Sequence, residues 1–464
     1  NLKAIDPDLC LKVTKDTSEK DGSMSGTILR LLIYTGFVAL PAFMATLTAT
    51  ASEGFLSELG KNCALMAFVV ITFQFVIAAR VKWIERPFGF DILIRYHKYI
   101  AVFAGCLLLC HPLLLAVGGG GWHLLIGLDL PWYIWLGKAT LVLLLLNICL
   151  SRFQTKFGLK FEKWRLSHDL LGPMILGMAF VHGRVVGEDL QITGIKILWI
   201  ALLAVAASLF LYHVILRPRL LKHRSYDVIE VHPEADDVWT VKMSPPPGDD
   251  IYDYLPGQFH FVTFYRNRNR TLPVEEHHWT ISSSPTEKGY VSSTIKALGD
   301  FTRTMGETKI GDKAAVHGAF GRFSYLLHPE EEDLVFLAGG IGITPLMSML
   351  RHMRDTGDNR RVLLIYGNNE DDQIVFKKEL SKIEMGQHPN LRVVHVISNP
   401  RPGWQGETGY VDREKIERLC GESLRRKIFY VCGPPPMTNA IVETLRNMGV
   451  PHRQIRLELF SFLE

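Results

Sequence analysis

Six apolar runs occupy the first half of this chain, at residues 28–50, 63–79, 92–117, 132–150, 166–183 and 195–216. Each approaches or exceeds the roughly 20 residues that span a hydrocarbon core about 30 Å thick. In lipid the backbone polar groups of such a run must be satisfied within the segment itself, so it folds as a helix. Residues 28–216 are therefore expected to form an α-helical membrane bundle of six transmembrane helices.

The charges between the runs suggest an orientation. The second connection carries Arg80, Lys82, Arg86 and Arg95, the fourth Arg152, Lys156, Lys160, Lys163 and Arg165, and Arg217, Arg219, Lys222 and Arg224 follow the sixth run. The first, third and fifth connections carry Lys61, no basic residue over 118–131, and Arg184 set against Glu188 and Asp189. Basic connections stay in the cytoplasm, which places the even-numbered connections and both termini inside. Trp122, Trp132 and Trp135 fall where an outer aromatic belt would lie.

Residues 1–27 are polar and lack the apolar core of a signal peptide; the run Asp21-Gly22-Ser23-Met24 fits a junction ahead of a natural start at Met24. Mean hydropathy is +0.13 although 21% of residues are charged, because the charge is concentrated in the second half. A net charge of +4 and the absence of any Lys/Arg run give no case for nucleic acid. The seven cysteines contain no CxxC pair, which removes iron–sulfur and zinc patterns. Cys106 and Cys110 share a helix face and read as small core residues.

After a linker at 217–224 the texture changes. Short alternating strands such as Val238–Met243 and Phe259–Phe264, separated by Pro and Gly turns, predict a small antiparallel β-barrel over 225–330. From 331 to 464 strands alternate with helices (Leu334–Ala338, Val362–Tyr366, Arg392–Ile397, Lys427–Val431), predicting an α/β parallel-sheet nucleotide domain.

Four histidines lie in the membrane runs: His97 and His111 in the third, His168 and His182 in the fifth, each pair 14 residues apart. Fourteen residues make close to four helical turns, so each pair shares one face, about 21 Å apart along the axis. The third and fifth runs cross the membrane in the same sense, so His97 should face His168 on the inner side and His111 should face His182 on the outer. Two facing imidazoles at each of two depths are what two stacked b-type haems need. Ionisable groups in a membrane are costly and functional by default. His123 and His213, at run ends, read as interfacial; Arg95 and Arg165 on the inner rim fit either haem propionates or ordinary inside charges.

In the barrel region the sequence His277-His-Trp-Thr-Ile-Ser-Ser-Ser-Pro285 is followed by Ile295-Lys-Ala-Leu-Gly-Asp-Phe-Thr302. A flavin needs an aromatic face, a hydroxyl near N5 and a turn for its diphosphate. Trp279, Thr280 and the Gly299–Thr302 turn supply these types, with His277, Ser282, Ser283, Lys296, Asp300 and Phe301 in the same segments. Further on, Leu334–Ala338 runs into Gly339-Gly340-Ile-Gly342-Ile-Thr344-Pro345. This is a strand, a glycine turn and a helix start, with Thr344 as the expected N-cap and Pro345 at the first helical position, an arrangement that holds a pyrophosphate on backbone N–H groups. A second strand end, Tyr430-Val-Cys432-Gly433-Pro434, opens another helix. It brings Cys432 near the nicotinamide, or leaves it as a buried structural cysteine.

With these motifs in order, residues 225–464 resemble a ferredoxin-NADP reductase module. Nearly the whole chain resembles the NADPH oxidase and ferric reductase superfamily, particularly its short prokaryotic members. The family's His-Pro-Phe-Thr flavin motif appears as His277-His278-Trp279-Thr280, its Gly-Asp-Trp-Thr-like turn as Gly299-Asp300-Phe301-Thr302, and its C-terminal Glu-x-aromatic as Glu458-Leu459-Phe460, with Phe462 beyond. The resemblance implies FAD and NADH or NADPH as cofactors beside the two b-type haems. Thr280, Cys432 and Phe460 would lie around the reacting atoms, and Phe460 would cover the flavin. Electrons would pass from nicotinamide through flavin, inner haem and outer haem to an acceptor outside. Oxygen, giving superoxide, is the expected acceptor. The alternatives are a ferric or cupric complex, or donation to a periplasmic protein, and no obligatory protein partner is implied. Superoxide-forming relatives often carry a histidine one turn after the outer ligand of the third helix, where this chain has Leu115. The expected location is a bacterial inner membrane, reductase module inside. The loop Gly367-Asn-Asn-Glu-Asp-Asp372 has three acids and no Arg, so NADH should serve at least as well as NADPH unless Arg401 or Arg351 reaches in.

Overall fold

In the computed structural model, which describes residues 20–48, 54–266, 272–421 and 423–460, the chain divides into two compact units, Asn1–Arg217 and Pro218–Glu464. In the first unit six helices among the described residues are long and apolar enough to cross a membrane. They are α1 (Lys20–Thr48), α2 (Phe55–Ala78), α3 (Phe90–Leu115), α4 (Trp132–Phe153), α5 (Phe161–Val186) and α6 (Thr193–Leu211). Helix α2 starts eight residues ahead of its expected apolar run, because its first turns mix Leu56 and Leu59 with Glu58 and Lys61 at the water boundary. Pro41, Pro112 and Pro173 lie inside α1, α3 and α5, a position membrane helices tolerate. The bundle core gathers on α2, where Leu65, Phe68, Val69 and Val70 pack against Ile175 and Leu176 of α5 and Ile195 and Trp199 of α6.

Two expectations for this unit are corrected. Cys106 and Cys110 are exposed rather than core; the outside of a membrane bundle is as apolar as its inside, so an apolar run does not tell which face is buried. Residues 217–224 are not an open linker. A π-helical segment, Tyr212–Leu216, leads straight into the helix Arg217–His223, and the wide turn falls just before Pro218, which has no N–H to give the helix.

The second unit holds two six-stranded sheets. The first comprises β1 (Tyr226–Ala235), β2 (Val238–Ser244), β3 (Phe259–Tyr265), β4 (Glu276–Thr280), β5 (Val291–Lys296) and β6 (Lys313–Phe320) in the order β4-β3-β6-β1-β2-β5, all antiparallel. The expected barrel does not close. Among the described residues the backbones of its two edges meet only at one bridge, Ile281 to Ser293, and one bond from Ser282 N to Ser292 O. Beyond these the chain turns away through Ser284 and Pro285, which has no N–H to continue a ladder.

The second sheet is wholly parallel, as expected: β7 (Asp333–Gly339), β8 (Arg361–Asn368), β9 (Asn390–Ile397), β10 (Glu407–Thr408), β11 (Ile428–Cys432) and β12 (Ile455–Glu458), in the order β10-β9-β8-β7-β11-β12. Parallel strands buried on both faces read as continuous apolar runs, and β7 shows why. Leu334, Phe336 and Ala338 pack with α7 (Ile343–Thr356) and α8 (Lys377–Glu384), while Val335 and Leu337 pack with α9 (Arg413–Cys420) and α10 (Pro435–Asn447).

Candidate functional site

The two histidine-bearing helices α3 and α5 make almost no direct packing contact, α3 resting chiefly on α2 and α5 on α4. A gap lies between them, and His97 and His168 face each other across it with ring centroids 6.1 Å apart. With metal–nitrogen bonds of about 2 Å, two imidazoles binding one iron from opposite sides place their centroids roughly 6 Å apart. His111 and His182 lie one on each of the same two helices, 14 residues further along each.

The second ring nitrogens are equally informative. His111 Nδ1 donates to the Gly60 carbonyl of α2 at 2.9 Å and His182 Nδ1 to the Tyr133 carbonyl of α4 at 2.7 Å. His168 Nδ1 donates to Asn147 Oδ1 at 3.1 Å. An Nδ1–H held in this way fixes the tautomer and leaves Nε2 as a metal ligand. Of these four, only His97 has a buried Nδ1 without a hydrogen-bond partner among the described residues. Glycine makes room at the outer pair. A Cβ on Gly137 would sit 2.6 Å from the His182 ring, and one on Gly60 would crowd the His111 carbonyl at 3.1 Å. The residues present therefore fit two bis-histidine haems. Sequence reasoning passed over Gly60, Gly137, Tyr133 and Asn147. Of these only Asn147, an amide inside an apolar run, carried a readable signal. Of the remaining candidates, Arg95 pairs with Asp91 at 2.9 Å, Arg165 lies 3.9 Å from Asp169, and His123 is 3.1 Å from Asp129.

In the second unit His277 and Trp279 alternate onto one face of β4, stacked at 5.5 Å, with Phe301 4.2 Å from His277. Phe301 is buried within the core of the antiparallel sheet, so it supports the motif from behind rather than facing a ligand. Thr280, on the opposite face, has a hydroxyl with no partner among the described residues and is free to accept a ligand. The turn is closed by its own side chains: Thr302 Oγ1 accepts from Leu298 N and Gly299 N at 2.9 Å, and Asp300 Oδ1 accepts from Phe301 N. Ser282 and Ser283 do not offer their hydroxyls outward. Ser282 is bonded to Ser292 and Thr294, and Ser283 to Tyr254. Lys296 pairs with Asp237 at 3.5 Å.

The C-terminal segment comes to this motif. His278, standing where the family has Pro, donates from Nε2 to the Phe460 carbonyl at 3.3 Å. That bond ties the Phe460 backbone to the β4 face that carries His278 and Thr280, while the Phe460 ring packs at the edge of the parallel-sheet core; Phe462 lies outside the described residues. Trp279 packs toward the antiparallel-sheet core on the other face of β4, so it is the Thr280 hydroxyl and the Phe460 segment, brought to one face, that fit the edge of a flavin.

The nicotinamide motifs meet at the carboxyl ends of two neighbouring strands. In register β7 pairs with β11 through Ala338 and Cys432, and Cys432 pairs with Glu458 of β12. A side chain on Gly342 would overlap the Cys432 carbonyl and one on Gly339 would overlap Met437, so only glycines let the two turns touch. Gly433 in turn lies against Gly339, and Pro434 caps α10. Gly340, at φ 51°, makes the turn, and its carbonyl accepts from Tyr366 OH at 3.0 Å. Thr344 is not the N-cap. The short turn Gly340–Gly342 starts the helix at Ile343, two residues earlier than a Thr344 cap allows, and Thr344 Oγ1 donates back to the Ile341 carbonyl at 3.0 Å. Cys432 is wholly buried, and burial pushes its thiol well above the usual range, so it stays protonated. Arg351 is committed to Glu379 and the Ser282 carbonyl. Arg401 does reach the acidic loop, pairing with Asp372 and lying 3.8 Å from Glu370 and 4.0 Å from Asp371.

Residues 63–179 match the family described as ferric reductase like transmembrane component, and residues 336–443 the oxidoreductase NAD-binding domain. The chain belongs to the NADPH oxidase and ferric reductase superfamily. Its second half is a ferredoxin-NADP reductase-type module. The chain is 31% identical over 218 residues to the NADH-cytochrome b5 reductase 1 of Laccaria bicolor, covering 46% of this chain and 68% of that protein. It is 32% identical over 174 residues to the NADH-cytochrome b5 reductase 1 of Dictyostelium discoideum, 37% of this chain and 60% of the relative. A flavohemoprotein of Oceanobacillus iheyensis is 27% identical over 250 residues, 52% of this chain and 60% of that one. The chain thus spans about 60% of the length of several such curated relatives. Members of this superfamily are oxidoreductases, and the helical unit here is the membrane part.

Proposed function

We propose that this protein is a transmembrane NAD(P)H oxidase, which takes electrons from NAD(P)H and, through FAD and two b-type haems, delivers them to oxygen outside as superoxide. Bound FAD would supply the exchange of one hydride for two single electrons. The supporting observation is that one chain carries both a paired glycine-turn nucleotide site and four histidines, three of them with Nδ1 tied to a carbonyl or amide oxygen.

The protein's own residues bind, orient and exclude. Gly339, Gly340, Gly342 and Gly433 would present backbone to the nicotinamide diphosphate; the Thr280 hydroxyl and Phe460 would stand at the flavin's edge, with Trp279 backing the strand from its other face. His97 and His168 would hold the inner haem and His111 and His182 the outer, with the reductase module and both termini in the cytoplasm by the basic connections. Leu115, one turn after His111, stands where superoxide-forming relatives often carry a histidine, a departure that bears against oxygen. The match to a ferric reductase component favours a second reading, a ferric or cupric complex as acceptor. Purified protein supplied with nicotinamide and flavin decides between them. Cytochrome c reduction abolished by superoxide dismutase supports oxygen; dismutase-insensitive reduction of a ferric chelate supports the second reading.

Phe460→Ala should slow hydride transfer from the nicotinamide several-fold and alter its access, with haem content unchanged. Stopped-flow reduction of the flavin measures this. The same loss in Phe462→Ala alone would move the covering ring one strand step along.

A further inference from the structure

The four axial histidines do not have equivalent second partners. Both outer ones donate to backbone carbonyls, of Gly60 and Tyr133, which no substitution can remove. Of the inner pair, His97 has no partner on Nδ1, and His168 is held by a side chain, Asn147. We infer that Asn147 is a positioning residue that sets the reduction potential of the inner haem alone. The inference rests on the two-haem reading proposed above.

Asn147 lies on α4 and is 8% exposed. A buried amide within an apolar helix is costly unless its hydrogen bonds are made, and its oxygen is spent on His168. The surroundings hold that geometry. Ser151, one turn along α4, lies with its hydroxyl 3.5 Å from the same Nδ1, and the Trp164 indole donates to Ser151 Oγ at 3.2 Å. The Trp164 ring also lies beside His168, with centroids 5.4 Å apart. Asn147 is thus the nearest acceptor on His168 and, among the described residues, the only side chain within 3.1 Å of any of the four Nδ1 atoms.

An acceptor on Nδ1–H makes the imidazole a more basic ligand, and a more basic ligand favours ferric over ferrous iron. Removing the acceptor should therefore raise the potential of the inner haem, and a charged acceptor should lower it. An effect of opposite sign in two variants is something a role in packing alone does not produce. It also bears on function, since the inner haem's potential sets how readily electrons move outward.

The test uses the full chain as wild type, Asn147→Leu and Asn147→Asp, with haem content by pyridine haemochrome and potentiometric titration of the haem bands. The expected result is two haems in each protein, with one of two midpoint potentials displaced, upward in Asn147→Leu and downward in Asn147→Asp. Each displacement should correspond to about a tenfold change in the ferric–ferrous equilibrium, ~59 mV for one electron, and the other haem should not move. Loss of one haem from Asn147→Leu, with retention and a lowered potential in Asn147→Asp, supports the same role. No displacement, displacement of both variants in one direction, or loss of haem from both overturns the inference. A wild-type protein without two haems overturns the two-haem reading instead, and shows before any variant is compared.

Discussion

Replacing His111 or His182 by alanine is expected to halve the haem content, from two per chain to one, and replacing His97 or His168 to remove the other haem. The paired double variants make the sharper test. His97→Ala with His168→Ala strips one depth and should leave one haem, whereas His97→Ala with His111→Ala strips one ligand from each depth and should leave neither haem low-spin. Two imidazoles facing each other at 6.1 Å centroid separation leave room for one iron between them and for little else, and a site with one remaining imidazole in an apolar gap loses the second axial bond. The low-spin signal and the pyridine haemochrome stoichiometry measure both outcomes, and electron delivery to any outside acceptor should fall to background in every case while flavin reduction by nicotinamide persists. A wild-type stoichiometry of one, or a His97/His111 double variant that keeps a low-spin haem, would show that the pairing across α3 and α5 is wrong.

That pairing could be read from the sequence because a helix converts spacing into geometry: 14 residues fix both face and depth. What supports the histidines could not be read in the same way. The acceptors for His111 and His182 are carbonyls of Gly60 and Tyr133, and a backbone oxygen leaves no mark on residue identity. Their glycine neighbours are visible only once the helices are brought together, since Gly137 matters because His182 packs on it. Asn147 was within reach, being a polar side chain in an apolar run. The parallel sheet followed from its continuous apolar strands, and all its expected strands are present within two residues. The antiparallel sheet was overclosed because alternation specifies faces and not the final edge pairing, which here rests on one bridge. Ser282 and Ser283 looked like ligand groups by type, yet their partners Ser292, Thr294 and Tyr254 come from other strands and segments. A short motif cannot report which hydroxyls are already taken.

The acidic loop after β8 should make NADH at least as good a donor as NADPH. The loop is tied to the end of β9 by Asn369, whose side-chain oxygen accepts from Asn399 Nδ2 at 2.7 Å and Ser398 Oγ at 3.1 Å, and this brings Arg401 against Glu370, Asp371 and Asp372. In this fold the ribose 2′ position is read at the end of this strand, where an Arg accommodates a phosphate and an acid favours the bare hydroxyl. Both are present here, but three carboxylates surround one guanidinium, so the patch remains acidic and Arg401 is already engaged. These groups are largely exposed, and at about 4 Å in water two unit charges interact by about 1 kcal/mol, so the acids produce a preference rather than absolute exclusion. Replacing all three together, Glu370→Gln with Asp371→Asn and Asp372→Asn, frees Arg401 and should move the ratio of kcat/KM values toward NADPH by tenfold or more; adding Arg401→Ala to that variant should cancel most of the gain. Raising the salt concentration should shrink both effects, as it does for any interaction among exposed charges. Steady-state kcat/KM for the two nucleotides is the measurement. A tenfold advantage for NADPH in the wild-type protein would mean that a basic residue outside this loop holds the 2′-phosphate.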